Sequence, residues 1–134
     1  MLISVLIVNK SIQEVGIIAN AAFVIGLSVG REIAEATFGH DVIDGDGTTH
    51  SALTCISHHV RKAGASKLRS VRTSLLNHPD IRIVDYTEDA RTPDYAEYAH
   101  NLSKHSGDDI VYRAIHVIGP EHVVGPLTSN LSRL

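Results

Sequence analysis

The polar residues whose spacing could support chemistry fall at two points where an apolar run breaks off. The run "LISVLIV" ends at Asn9 and Lys10, and the run "DIRIVDYT" ends at Asp85, Tyr86 and Thr87. If these runs are parallel strands, Asn9, Lys10, Asp85 and Thr87 gather at one edge of a sheet. In α/β proteins, ligands bind at the carboxyl ends of strands, beside helix N-termini whose free N–H groups attract anions. The helix after the first run is led by Gly16 and carries Asn20 within an otherwise apolar stretch. A lysine beside an aspartate either binds a polar ligand and tunes proton transfer, or forms a structural ion pair. On this reading Asp85 is the candidate catalytic group, and Asn9, Lys10, Gly16, Asn20 and Thr87 are the candidate ligand contacts. An amide inside an apolar helix needs partners, so Asn20 either bonds a loop backbone or faces the cleft.

Other polar groupings are less suggestive. "DGDG" at Asp44–Gly47 lacks the rest of a calcium loop and reads as a turn. The nine histidines share no helical face at metal-ligand spacing; His50 and His116 could meet only through folding. No metal site and no cofactor are expected. No G-x-G-x-x-G, P-loop or G-x-S-x-G pattern occurs. Cys55 stands alone in an apolar stretch and reads as a core filler, which suits a reducing cytoplasm.

The elements that must hold these residues follow from the hydrophobic pattern. At 134 residues and 43% hydrophobic, the chain fits a single α/β domain spanning 1–134. "LISVLIV" is β-branched and continuous, as in a strand buried on both faces. From Val15 to Val29 only Asn20 and Ser28 are polar. Those fifteen residues fall short of the roughly 20 of a membrane span, so a buried core helix is expected. "HDVIDGDGTTHSALTCIS" reads as a hairpin. "ASKLRSVRTSLLNHP" reads as a helix with Ser66 as its cap, and "TPDYAEYAHNLSKH" as a helix capped by Thr92 with Pro93 in first position. "DDIVYRAIHVIG" is the last strand, and the remainder a turn-rich tail. Alternating strands and helices indicate a layered α/β sheet.

The net charge is -3, so no overall basic field steers the chain to nucleic acid or an anionic membrane. The distribution is uneven. Gly47–Pro79 contains no acid but carries Arg61, Lys62, Lys67, Arg69 and Arg72, whereas from Asp80 to Asp109 eight acids face three strong bases.

Taken together, "VLIVNK", "GIIANAAFVIGLSVG", "DGDGTTHSA", "VDYTEDARTPDYAEY" and "IGPEHVVGPLTSNLSRL" resemble a small bacterial family of unknown function with the type 2 peptidyl-tRNA hydrolase fold. The resemblance implies a three-layer α/β/α fold around a four-stranded mixed sheet, with the hairpin appended. Hydrolases of that fold open their first helix with a Gly-Lys-Ile-Ala-Ala-Gln-like motif whose lysine belongs to the proposed active site. Here the stretch is Gly16-Ile17-Ile18-Ala19-Asn20-Ala21. Ile17 therefore stands at the lysine position, and Val24 at that of a nearby histidine. Asp85 matches the aspartate of the later strand, Asp89 replaces the usual threonine with Thr87 close by, and Ile118-Gly119-Pro120 matches as it stands. The resemblance implies a retained scaffold without most of the hydrolytic equipment. The expectation is a cytoplasmic protein binding a small polar ligand near Lys10, Asn20 and Asp85. The alternatives are a residual peptidyl-tRNA hydrolase or RNA-end binder, and a dimeric interaction protein without catalysis. The acidic balance speaks against nucleic acid as partner; a homodimer is an expected assembly.

Overall fold

The structure, a computed structural model, describes residues 1–134. Seven strands form: β1 (Leu2–Asn9), β2 (Val42–Ile43), β3 (Thr49–His50), β4 (Ser57–Ala63), β5 (Arg82–Thr87), β6 (Tyr112–Pro120) and β7 (Ser132–Arg133). The helices are α1 (Val15–Glu32), α2 (Ala65–Leu75), α3 (Tyr95–Ser103) and α4 (Glu121–Thr128). The main sheet has five strands in the order β5-β6-β1-β4-β7, and β2-β3 form a separate hairpin. The expected four-stranded sheet is thus one strand short. β4 pairs parallel to β1, β6 lies antiparallel between β1 and β5, and the tail adds β7 to the outer edge of β4. β1 and β5 consequently run in the same direction with β6 between them.

Side chains alternate across the sheet. Ile3, Val5, Ile7, Ile115 and Val117 lie on one face and join Leu68, Val71 and Leu75 of α2 and Val124 of α4 in the larger core. On the opposite face Ala114 and Tyr86 join Ala21 and Ile25 of α1 in a smaller cluster, with Leu6, Val29 and Val84 around it. Helices therefore cover both faces, but unequally. α1 lies over β5 and β6, so β4 is bare on that face, with His58, Val60 and Lys62 exposed.

Several local expectations change. α2 begins two residues earlier than a Ser66 cap requires, because Gly64 is its N-cap. α3 is capped by Asp94, whose carboxylate accepts from the N–H groups of Ala96 and Glu97. Thr92 instead accepts from the Asp94 N–H and donates to Glu97 Oε2. The tail contains α4 despite Pro126 within it. The DGDG turn closes the hairpin as a turn should: Asp44 Oδ1 accepts from the N–H groups of Asp46 and Thr48. Gly47 there adopts a φ of 85°, which glycine accommodates without strain.

α1 is less buried than a core helix should be. Only Ala21 and Ile25 are buried along its 18 residues. Its length and a mean hydropathy of 1.4 over that stretch reach the lower limit of a membrane-crossing helix. It nonetheless packs on the sheet by one stripe, and Phe23 and Leu27 point outward at 67% and 64% exposure.

Candidate functional site

Because α1 is displaced toward β5, a groove opens between α1, the buried strand β1 and the bare face of β4. The groove encloses about 320 Å³, at the lower end of the range for small-molecule sites. Leu6, Ile25, Val29, Ile33, Phe38 and Val60 supply apolar walls. Gly26 and Gly30 leave the α1 side open, since a Cβ on either would meet nothing within 4 Å. At 3.6 residues per turn these glycines fall on one side of the helix, and the missing side chains make the space.

Four polar side chains converge there from three strands and a loop. Ser4 on β1 and His116 on β6 are buried, and Ser4 Oγ lies 2.6 Å from His116 Nε2. His58 on β4 lies at the exposed side, hydrogen-bonded to Thr54 Oγ1. Register explains the Ser4–His116 contact. Leu6 stands opposite His116 and Ser4 opposite Ile118, so Ser4 and His116 are diagonal neighbours on the same face.

Burial first, and the facing His58 second, push His116 down to about 4. At neutral pH its ring is uncharged, with one nitrogen protonated and the other bare. Whichever tautomer forms, Nε2 is engaged by the Ser4 hydroxyl, while Nδ1 is buried without any partner. A buried imidazole nitrogen left unsatisfied costs free energy of roughly 1–3 kcal/mol. No carboxylate orients the ring, so the pair lacks the third member of a nucleophilic triad. As it stands, the arrangement presents uncharged hydrogen-bonding groups to an apolar cavity.

The residues singled out from the sequence occupy a different region. Asn9 ends β1 with Nδ2 donating to Tyr112 O at 3.0 Å and Oδ1 accepting from the Ser11 N–H and hydroxyl. Thr87 pairs with Tyr112 in the register of β5 and β6. Asn9 and Thr87 therefore do reach one sheet edge, on either side of Tyr112. Thr87 is buried there, with its hydroxyl unpartnered. Lys10 and Asp85 engage different neighbours. The Lys10 stem lies over Gly64, where a Cβ would stand 3.4 Å from Lys10 Cε. Asp85 Oδ2 accepts from Arg72 Nε at 3.0 Å, and the Arg72 guanidinium sits 5.3 Å from the centre of the Tyr112 ring. Gly16 is exposed at the start of α1. Asn20 is exposed rather than buried, and its Oδ1 lies 3.2 Å from the Tyr86 hydroxyl.

Cys55 is exposed, not a core filler; its thiol points to Thr37 O at 3.3 Å. The histidines also find separate partners. His50 bonds Asp44 at 2.8 Å and His105 bonds Asp89 at 3.0 Å. His50 is the chief reason that the Asp44 carboxyl titrates below its usual range. No three metal-ligating side chains converge anywhere in the chain. Sequence reasoning passed over Ser4 and treated His116 only as a partner for His50. The available signal was that each is a polar interruption inside a strand apolar on both faces.

No curated protein matches the chain. A solved protein of unknown function from Agrobacterium tumefaciens strain C58 is similar in fold, with a TM-score of 0.82 at 16% identity over 99% of this chain and 97% of that one. The model of a family described as a protein of unknown function, DUF2000, matches residues 4–134. With the match running from Ser4 in the first strand to the final residue, this chain belongs to the DUF2000 family.

Proposed function

We propose that the chain is a binding protein for a small, mainly apolar molecule carrying a hydrogen-bonding group, held in the groove between α1 and β4. The observation that carries this reading is the buried Ser4–His116 pair in a cavity whose walls are mainly Leu6, Ile25, Val29, Ile33 and Phe38. Such a cavity with a few converging polar groups is the usual form of a ligand site. The reading takes the scaffold to be of the peptidyl-tRNA hydrolase type and the protein to be cytoplasmic. It takes hydrolysis to be lost with the lysine that Ile17 replaces. The net charge of -3 supports a small-molecule ligand over tRNA.

A second reading keeps a small polar ligand at the sheet edge near Asn9, Lys10 and Asp85. It is favoured by the buried Thr87 hydroxyl, which has no partner.

Thermal shift against a library of small apolar alcohols, amides and acids tests the first reading, with Gly26→Leu as the comparison. The leucine side chain enters the open space beside Gly26. The expected outcome is a set of hits on the wild type that Gly26→Leu loses while remaining folded. Hits that persist unchanged in Gly26→Leu but vanish in Thr87→Val transfer the site to the sheet edge.

A further inference from the structure

The groove has a one-sided polar composition. Ser4, Thr54, His58 and His116 bring their polar side chains to it, and its lining holds not one carboxylate. The strand that forms its open wall, β4, lies in the Gly47–Pro79 stretch that contains no acid and five strong bases. Hydroxyls and imidazoles are donors, or become donors on taking up a proton. A cavity built to receive a cation or an amine would place an acceptor-only carboxylate among them. One that receives an anion has this composition.

Resting on the groove reading above, we infer that the ligand is a small monocarboxylate with an apolar body, its carboxylate held by Ser4, His58 and His116. The cavity of about 320 Å³ has room for about ten heavy atoms at a water-like 30 Å³ each, the size of a medium-chain fatty acid. The apolar body lies along Ile25, Val29 and Phe38. The carboxylate's charge beside the ring favours the protonated form of His116, in which Nε2 donates to the Ser4 oxygen and the Ser4 hydroxyl is free to donate to the carboxylate. Binding of the anion is accompanied by uptake of one proton at His116, and the Ser4 hydroxyl gives the carboxylate a charge-assisted hydrogen bond.

The groups facing His116 allow this. Ser4 on β1 is neutral, and His58 on β4 opposes a second positive charge until the carboxylate arrives. On the α1 side stands Glu32 and on the β5 side Arg82, opposite charges lining the same small space as His116. Neither forms a hydrogen bond or ion pair with the ring.

Calorimetry with octanoate, octanamide and octanol, run in buffers of different ionisation enthalpy, tests the inference, together with ¹⁵N spectra of the histidine rings. Octanoate is expected to bind at least tenfold tighter than octanamide at pH 6. It is expected to take up about one proton where the amide takes up none, and to shift His116 alone to the doubly protonated pattern. Ser4→Ala weakens octanoate selectively, and its fold is checked by the same spectra. Equal affinities of octanoate and octanamide, or octanoate binding without a change at His116, overturn the carboxylate inference and leave the groove reading standing. If none of the three ligands binds or perturbs groove resonances, both fail.

Discussion

Ser4 and His116 are 112 positions apart and meet at 2.6 Å across the seam of β1 and β6. They form a buried polar pair in a sheet otherwise apolar at its centre. The pair leaves His116 Nδ1 without a partner, and a well-packed core seldom tolerates that. It persists at the wall of the groove proposed above as the ligand site. The same pair also sets how stability depends on pH.

The folded-state value of His116 is about 4 against an ordinary 6.5. Between those values the unfolded chain binds a proton that the folded chain does not. Stability is therefore fully present above pH 6.5 and falls as pH drops toward 4. At about 1.4 kcal/mol per pKa unit, the loss approaches about 3 kcal/mol. Urea unfolding at pH 7 and pH 4.5 measures it. His116→Leu, which removes the titration and the orphan nitrogen, is expected to lose less stability than wild type over that interval. An identical pH slope in both proteins contradicts this account of the ring.

The glycines of α1 give an opposite kind of result. Gly26 and Gly30 lie inside a helix with open space where a Cβ would be. Gly26→Ala and Gly30→Ala are each expected to stabilise the protein by about 0.5–1 kcal/mol through helix propensity. The melting temperature checks this directly. A rise accompanied by loss of groove ligands means that the glycines are kept for space rather than stability.

Gly119 is constrained by the opposite circumstance. A Cβ there would collide with Ile81 Cδ1 and approach Asp80 O to 3.1 Å. Gly119→Ala is expected to destabilise by about 1–3 kcal/mol, because the buried Ile81 side chain must turn away and the Asp80 carbonyl must give way to the added methyl group. Chemical denaturation measures the change. The collision also gives a steric meaning to Ile118-Gly119-Pro120, one of the motifs by which the sequence resembles its family.

Much of this architecture was legible. The run from Leu2 to Val8 announces a central strand because β1 is covered on both faces, and Asp44–Gly47 announces a turn because its backbone needs one. β4 was not legible: "SHHVRKA" has no apolar run, since one face is bare and its pairing with β1 is a long-range event. α4 was masked by Gly125 and Pro126, which signal a turn locally but are outweighed by the burial of Val124 and Thr128. The groove was invisible for a related reason. It exists because α1 sits to one side of the sheet, and no periodicity in α1 states which strands it will cover.

Asp85 illustrates how a residue with catalytic credentials can have a structural role. Its side chain and that of Arg72 are 21% and 26% exposed, and Arg72 also stacks near Tyr112. Removing one partner leaves the other half-buried and unpaired. Asp85→Asn is expected to destabilise by about 1 kcal/mol, and a double-mutant cycle with Arg72→Met to give a coupling of similar size. Octanoate binding in the groove should be unchanged. Lost binding with unaltered stability would instead return Asp85 to the site.

The outward face of α1 carries the remaining prediction. Val15, Phe23 and Leu27 follow one another at helical spacing and are 78%, 67% and 64% exposed. Val24, at 40%, widens the strip, and no charged side chain interrupts it between Glu14 and Arg31. Contiguous apolar surface of this kind is uncommon on monomers and drives association. In a two-fold assembly each copy offers the same strip, so one substitution acts twice at the interface. Sedimentation is expected to show self-association at micromolar concentration. Phe23→Lys combined with Leu27→Lys should weaken it at least tenfold while leaving the monomer's melting temperature within a few degrees. Neither Phe23 nor Leu27 lines the groove, so octanoate affinity should survive in the double variant. A wild type that stays monomeric at those concentrations removes the prediction.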